Sequence, residues 1–161
     1  MARVRGTERA GPGCQTGGVT VPAAVMTADE LEEFLAGAFP LAPRRYRVAE
    51  VTEAGVLMHL PVTDEDERPG GTMSGPSMMT LADASAWLAT VSRIGPVALS
   101  VTSSLTINFL RKPAMADLWA RADLLKLGRR QSVTDVRLYS DADGGPGTAV
   151  VAQASVTYAI P

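Results

Sequence analysis

Apolar and polar residues alternate with a period of two over much of the second half of the chain. Val97, Leu99, Val101, Leu105, Ile107 and Phe109 interleave with Ser100, Thr102, Ser104, Thr106 and Asn108, which predicts a long strand with one apolar face and puts Thr102 on its polar face. Leu118, Ala120, Ala122 and Leu124 continue the pattern, Val136 and Leu138 carry a third run, and Val150, Ala152, Ala154, Val156, Tyr158 and Ile160 a fourth. The segment 141–147 (DADGGPG) is a turn between the last two. Upstream, 46–62 reads as a hairpin about Glu53-Ala54-Gly55, with His59 on a strand face.

Two segments depart from this period. Thr27-Ala-Asp-Glu30 has the capping-box arrangement, and Leu31, Phe34, Leu35 and Ala38 then share one face of a short amphipathic helix that Pro40 ends. The second helix starts at Gly75-Pro76, where a missing N–H costs nothing, and stops at Gly95-Pro96 after Arg93. Met78, Met79, Leu81, Ala82, Ala84, Ala86, Trp87, Leu88, Ala89 and Val91 cover nearly its whole circumference, so the sheet is expected to wrap it. Its polar exceptions, Ser77, Thr80, Asp83, the indole N–H of Trp87, and Thr90, recur at spacings of three and four and form one narrow stripe.

Strands joined by short turns, with one long helix ahead of most of them, indicate an α+β fold in which the helix packs across a curved antiparallel sheet. Residues 26–161 are read as one domain and 1–25 as a disordered N-terminal tail, because 1–21 is rich in Gly and Arg and has no apolar period to offset the entropy of ordering. At 161 residues and 46% hydrophobic, the chain is long enough to bury a core.

Charge and rare residues narrow the function. With 15 Lys+Arg against 17 Asp+Glu, the chain lacks the overall basic balance of a nucleic-acid binder. His59 and Cys14 are its only His and Cys, so a Cys/His zinc site within one chain is excluded, no intrachain disulfide forms, and no metal is expected. The apolar stretch 78–91 is broken by Thr80 and Asp83 and falls short of the ~20 residues that span a bilayer. No secretory signal pattern follows the N-terminal arginines, so a cytoplasmic location without membrane association is expected. No Gly-rich phosphate loop has the required spacing.

Asp83 is the residue that requires explanation. A carboxylate in so apolar a helix loses much of its hydration, at a cost of several kcal/mol unless a partner or a wet cleft compensates. It either pairs with an arginine such as Arg68 or Arg111, or lines a cleft as a general base or nucleophile. The helix start is the second candidate: the N–H of Gly75 and the positive end of the helix dipole suit a developing oxyanion, and the absent side chain lets a carbonyl approach.

Gly71-Thr72-Met73-Ser74-Gly75-Pro76, Thr80-Leu81-Ala82-Asp83, Leu105-Thr106-Ile107-Asn108-Phe109-Leu110 and Gly128-Arg129-Arg130 together resemble the hotdog-fold acyl-CoA thioesterases of the phenylacetic-acid-degradation (PaaI-like) group, over roughly 48–161. The resemblance implies a helical "sausage" wrapped by a sheet "bun". It also implies subunits paired into homodimers or dimers of dimers (homotetramers), with active sites at the dimer interface. It implies that the carboxylate at Asp83 activates water or attacks the thioester, that the Gly75 N–H polarises the carbonyl, that Thr102 supplies an assisting hydroxyl, and that Arg129 and Arg130 bind coenzyme A phosphates. No cofactor is implied, coenzyme A being part of the substrate.

Ser74-Gly75-Pro76 stands where the family usually has His-Gly-Gly, so Ser74 offers a hydroxyl in place of an imidazole. Arg68 stands where an amide is common and would hold Asp83 ionised or bind substrate. Met79 and Trp87 suggest an apolar acyl pocket. The leading expectation is therefore hydrolysis of an acyl-CoA to free acid and CoA. The alternative is an inactive hotdog protein that binds acyl-CoA, which a fully salt-bridged Asp83 would favour. A hotdog hydratase would need a paired Asp and His that the sequence does not display.

Overall fold

Strand and helix periods are realised in the order α1 (Ala28–Ala38), β1 (Arg47–Val51), β2 (Gly55–Leu60), β3 (Glu67–Arg68), β4 (Thr72–Met73), α2 (Gly75–Ile94), β5 (Val101–Phe109), β6 (Leu118–Leu127), β7 (Gln131–Ser140) and β8 (Ala152–Ala159). These come from a computed structural model that describes residues 21–39 and 45–161. Six strands form one antiparallel sheet in the order β1-β2-β6-β7-β8-β5, while β3 and β4 make a separate two-stranded ribbon. The expected tail falls outside the described residues up to position 20, as do Cys14 and the helix stop at Pro40. From Val21 the chain runs along the domain, and the Val25 N–H donates to the Ser92 carbonyl.

α2 packs on β2, β6, β7, β8 and β5, and its 20 residues span about 30 Å. Ser74 is its N-cap, with the hydroxyl accepting the Ser77 N–H. At the other end, the Gly95 N–H closes onto the Val91 carbonyl from a positive φ of 88°, which glycine adopts without strain. The second half of α2 is buried without interruption from Ser85 to Arg93, whereas Met79 and Thr80 in its first turns are exposed. Ser85, Thr90 and Ser92 are tolerated there because each hydroxyl bonds to a carbonyl of its own helix, on Leu81, Ala86 and Ala89. Met58, Leu60, Leu118, Val136, Leu138 and Val156 meet this helix from the sheet, all fully buried.

Close approach requires glycine at Gly55, where a Cβ would fall 1.9 Å from the Ala122 carbonyl oxygen across the β2–β6 ladder. The capping box of α1 is present as expected: the Thr27 hydroxyl accepts the Glu30 N–H and the Glu30 carboxylate accepts the Thr27 N–H.

The long strand corrects the sequence reading in two respects. It begins at Val101, because 97–100 turn instead, with the Ser100 N–H bonded to the Val97 carbonyl. It also carries a bulge: Thr102 lies opposite Tyr158 and Ser104 opposite Thr157, so Ser103 is an extra residue and the alternation reverses there. Directly opposed residues share a face. Thr102 therefore points to the same side as Leu105, Ile107 and Phe109, towards α2, and not to the opposite side as an unbroken period of two requires.

Candidate active site

Asp83 is half-buried on the third turn of α2. Its Oδ1 accepts two hydrogen bonds, from the Thr102 hydroxyl at 2.8 Å and from the Tyr158 phenol at 2.8 Å. The phenol also lies 3.2 Å from the Asp83 carbonyl. Each donor depends on the sheet register: β8 presents Tyr158 inward in the run Ala152, Ala154, Val156, Tyr158, and the β5 bulge turns Thr102 to meet it. Burial raises the Tyr158 pKa far above its ordinary value, the neighbouring Asp83 carboxylate adds to this, and the Thr102 hydroxyl offsets a little of it. Tyr158 therefore stays a neutral phenol and serves as a donor.

No Lys, Arg or His among the described residues forms an ion pair with Asp83, so neither Arg68 nor Arg111 neutralises it. No described residue donates to Oδ2. The carboxylate is thus held by one oxygen and has the other available at the wall of a cavity of about 890 Å³. Thr80, Ala84 and Trp87 of α2, Val101 and Thr102 of β5, Tyr158, and α1 between Glu32 and Phe39 line it, together with Tyr46, Arg47, Ala98 and Ser100. The Trp87 ring is buried, its indole N–H donates to the Ser100 hydroxyl at 3.0 Å, and Phe34 stacks on it at 5.1 Å with Phe39 edge-on at 5.5 Å.

The start of α2 is a separate place in the chain. Gly75 is the first helical residue, so its N–H has no intrahelical acceptor. The Phe109 ring lies 3.5 Å from where a Cβ would stand. Ser74 uses its hydroxyl on Ser77, with the two oxygens 2.8 Å apart. Asp66, buried below, accepts from Arg45, Ser77 and the Thr63 N–H. Burial pushes its carboxyl pKa up, and these bonds outweigh it, holding the pKa below the ordinary value. The Asp66 carbonyl also takes the Ser74 N–H at 2.7 Å, which fastens the loop to the helix start.

Among the other residues singled out in the sequence, Trp87 lines the cavity and Met79 does not. Met79 is turned ~90° from the centre of the Thr80-Asp83-Ala84-Trp87 stripe and is 41% exposed. Arg68 is exposed on β3, opposite Thr72 and near the start of α2. Arg129 and Arg130 form the exposed β6–β7 turn, where the Arg130 carbonyl accepts the Ile160 N–H. The register Ser132-Tyr158-Thr102 across β7, β8 and β5 puts that turn at the same end of the sheet as Asp83.

Sequence reasoning missed Tyr158 and the aromatic face of α1. The available signal was small: Tyr158 is the one inward residue of β8 with a hydroxyl. His59 has a carboxylate partner after all, Asp117 at 3.0 Å, and its ring lies 4.3 Å from that of Trp119, outside the cavity wall. With Asp141, this pair brings three potential metal-ligand atoms within 4.8 Å, although Asp117 is engaged by the Val62 N–H and Asp141 by the Trp119 indole.

Comparison with known proteins agrees with this architecture. A family profile described as "Thioesterase superfamily" matches residues 70–147, from just before α2 to the turn ahead of β8. The crystal structure of a candidate thioesterase from Silicibacter sp. TM1040 is 38% identical and superposes with a TM-score of 0.75, over 86% of this chain and 94% of that one. A point mutant of the phenylacetic acid degradation protein PaaI from Thermus thermophilus is 25% identical with a TM-score of 0.61, over 72% of this chain and 93% of that one. Zebra fish thioesterase superfamily member 2 shares the fold at 19% identity and a TM-score of 0.72, over 84% and 99%. No curated protein sequence matches the chain. A long helix across an antiparallel sheet, a profile match over α2 and β5 to β7, and a relative 38% identical over 86% of the chain agree: this chain belongs to the thioesterase superfamily and has its hotdog fold.

Proposed function

We propose that this protein hydrolyses an acyl-CoA thioester to a carboxylic acid and free CoA, with Asp83 as general base or nucleophile. One observation carries the reading: Asp83 is a carboxylate without a cationic partner among the described residues, pinned through Oδ1 by two hydroxyl donors, with Oδ2 available at a cavity. A carboxylate kept only for structure is expected to be neutralised by a cation, which is the arrangement that an inactive binding protein would favour. As a base, Oδ2 takes a proton from water while the water oxygen bonds to the thioester carbonyl carbon. The resulting oxyanion collapses, the C–S bond breaks, and the CoA sulfur takes up the proton. As a nucleophile, Oδ2 bonds to the carbonyl carbon and the C–S bond breaks, releasing CoA thiolate, which is protonated from water, and leaving an acyl anhydride that water cleaves to the free acid and the Asp83 carboxylate.

The carbonyl also needs a donor, and here the fold calls for a second copy. Gly75 and Asp83 are eight residues apart on one helix, about 12 Å along its axis, too far to act on one thioester. β5 is an edge strand with Val101 and Phe109 exposed, a surface that invites pairing with another strand. A two-fold, antiparallel pairing of β5 with its copy sets the Phe109 end of one subunit against the Thr102 end of the other. Gly75, beside Phe109, then faces the partner's Asp83. We read the protein as a homodimer, or a dimer of such dimers, with two composite sites in which Gly75 polarises the carbonyl. Ser74 orders the start of α2, Arg68 lies near it to contact substrate, and Arg129 and Arg130 supply charge for CoA phosphates. The cytoplasm, where acyl-CoA is made and used, is the proposed location.

The test is release of free CoA thiol from short, long and aromatic acyl-CoAs by the wild type and by Asp83→Asn. The Asn oxygen still accepts from Thr102 and Tyr158, so the variant folds. Hydrolysis by the wild type and a loss of about 10²–10⁴-fold in the variant support the reading. Equal activity of the two removes Asp83 from the chemistry, and binding of acyl-CoA without hydrolysis by either establishes the binding protein.

A further inference from the structure

We infer that α1 is the selectivity wall of the site and that the protein acts on large apolar acyl groups, of about eight carbons or more, in preference to acetyl or other short ones. The inference rests on the proposed thioesterase reading for its reaction, and on the cavity itself for its ligand.

The cavity that opens at Asp83 does not end at α2. α1 contributes Leu35, Ala36 and Phe39 to its wall, which Ala84 and Trp87 of α2 and Val101 of β5 also line. This wall is fixed in place. Phe34 stacks on Trp87 at 5.1 Å, and Glu32 accepts the Val48 N–H at 2.8 Å, which ties α1 to β1. The indole N–H of Trp87 is already bonded to Ser100, so the ring offers the cavity only its apolar surface. Phe39, 53% exposed, closes edge-on over the same ring and leaves an aromatic surface uncovered at the rim.

Size and lining decide the ligand class. A space of about 890 Å³ is near the upper end for sites that enclose drug-sized groups. An acetyl group would leave water against the apolar part of the wall, Leu35, Phe39, Ala84, Trp87 and Val101, and a longer chain gains by displacing that water. α1 precedes the stretch 70–147 that the family profile matches, so this wall lies outside the shared catalytic segment. Glu32, Glu33 and Arg47 also line the cavity, so its wall is not apolar throughout.

Three measurements test this. First, kcat/KM for straight-chain acyl-CoAs should rise about fourfold per added methylene while the chain is being buried, and then level off. Second, Ala36→Phe, which adds bulk to the cavity wall from α1, should lower the ratio of kcat/KM for decanoyl-CoA to that for acetyl-CoA at least tenfold, whatever it does to either alone. Third, occupancy can be read without turnover: in a Trp119→Phe background Trp87 is the only indole, and decanoate should shift its fluorescence saturably in the parent and not after Ala36→Phe. A flat chain-length profile in an active enzyme overturns the inference and leaves the thioesterase reading standing. If no thioester is hydrolysed, that reading fails, and the decanoate titration alone decides: a saturable shift abolished by Ala36→Phe upholds the acyl cavity, and no shift, or one that survives the filling, refutes it.

Discussion

If Asp83 is held for chemistry by two donors on one oxygen, removing the donors should show a characteristic redundancy. Tyr158→Phe keeps the ring in the core and deletes only the hydroxyl, 2.8 Å from Oδ1, and Thr102→Val deletes the other donor at the same distance. A hydrogen bond to a charged group contributes about 1.5–3 kcal/mol. Either donor alone still orients the carboxylate, so each single variant should lose only about tenfold in kcat, roughly 1.4 kcal/mol. With both gone the carboxylate rotates freely into water, and kcat should fall about 10³-fold. That is tenfold beyond the product of the single losses, a coupling of about 1.4 kcal/mol between neighbours that share one acceptor. Urea denaturation of the three variants, each expected to remain folded under the assay conditions, separates positioning from unfolding. The assay is steady-state thiol release on one acyl-CoA, with kcat and KM determined separately. A double variant within threefold of wild-type kcat would refute the clamp, and single losses that simply multiply would refute its redundancy.

The composite site predicts complementation. Asp83→Asn and Gly75→Pro should each be inactive alone, the latter because it removes the N–H at the helix position most tolerant of proline. Co-refolded in equal amounts, they should recover about a quarter of wild-type activity, since half the dimers are hybrids with one intact site of two. Light scattering should find no predominant 16.9 kDa species, and activity in a monomeric protein would remove the partner from the site. Gly55→Ala should destabilise the fold by at least about 3 kcal/mol, because its Cβ meets the Ala122 carbonyl at 1.9 Å and the ladder must part; an unchanged melting temperature would contradict that packing. Asp66 has a carboxyl pKa held below its ordinary value near 3.8, so it stabilises the fold fully above that pH, and the contribution disappears as pH falls through the lowered folded value. Asp66→Asn should therefore cost about 1.5–3 kcal/mol at pH 7, and its gap from wild type should narrow as the pH falls below the ordinary carboxylate value in urea titrations. A gap that stays constant would show that the charge of Asp66 is not what holds the loop.

Much of this protein follows from local pattern. A period of two and a period of 3.6 are imposed by backbone geometry, so the strands, the capping box at Thr27 and the limits of α2 between Ser74 and Gly95 are legible without tertiary structure. Asp83 is legible too, because a charge in an apolar helix is costly wherever that helix packs. What surrounds Asp83 is not. Tyr158 lies 75 residues away, and its hydroxyl arrives only when β8 pairs with β5. Thr102 reads as a residue of the polar face until Ser103 is squeezed out as a bulge, and no feature of 101–104 marks which residue that will be, since the bulge belongs to the register between two strands. The aromatic face of α1 likewise becomes a cavity wall only by seating on Trp87. Local energetics choose the elements and the expensive residue. Which hydroxyls and rings stand around it is decided by long-range pairing, because contacts between distant segments depend on register and packing that no short stretch of chain contains.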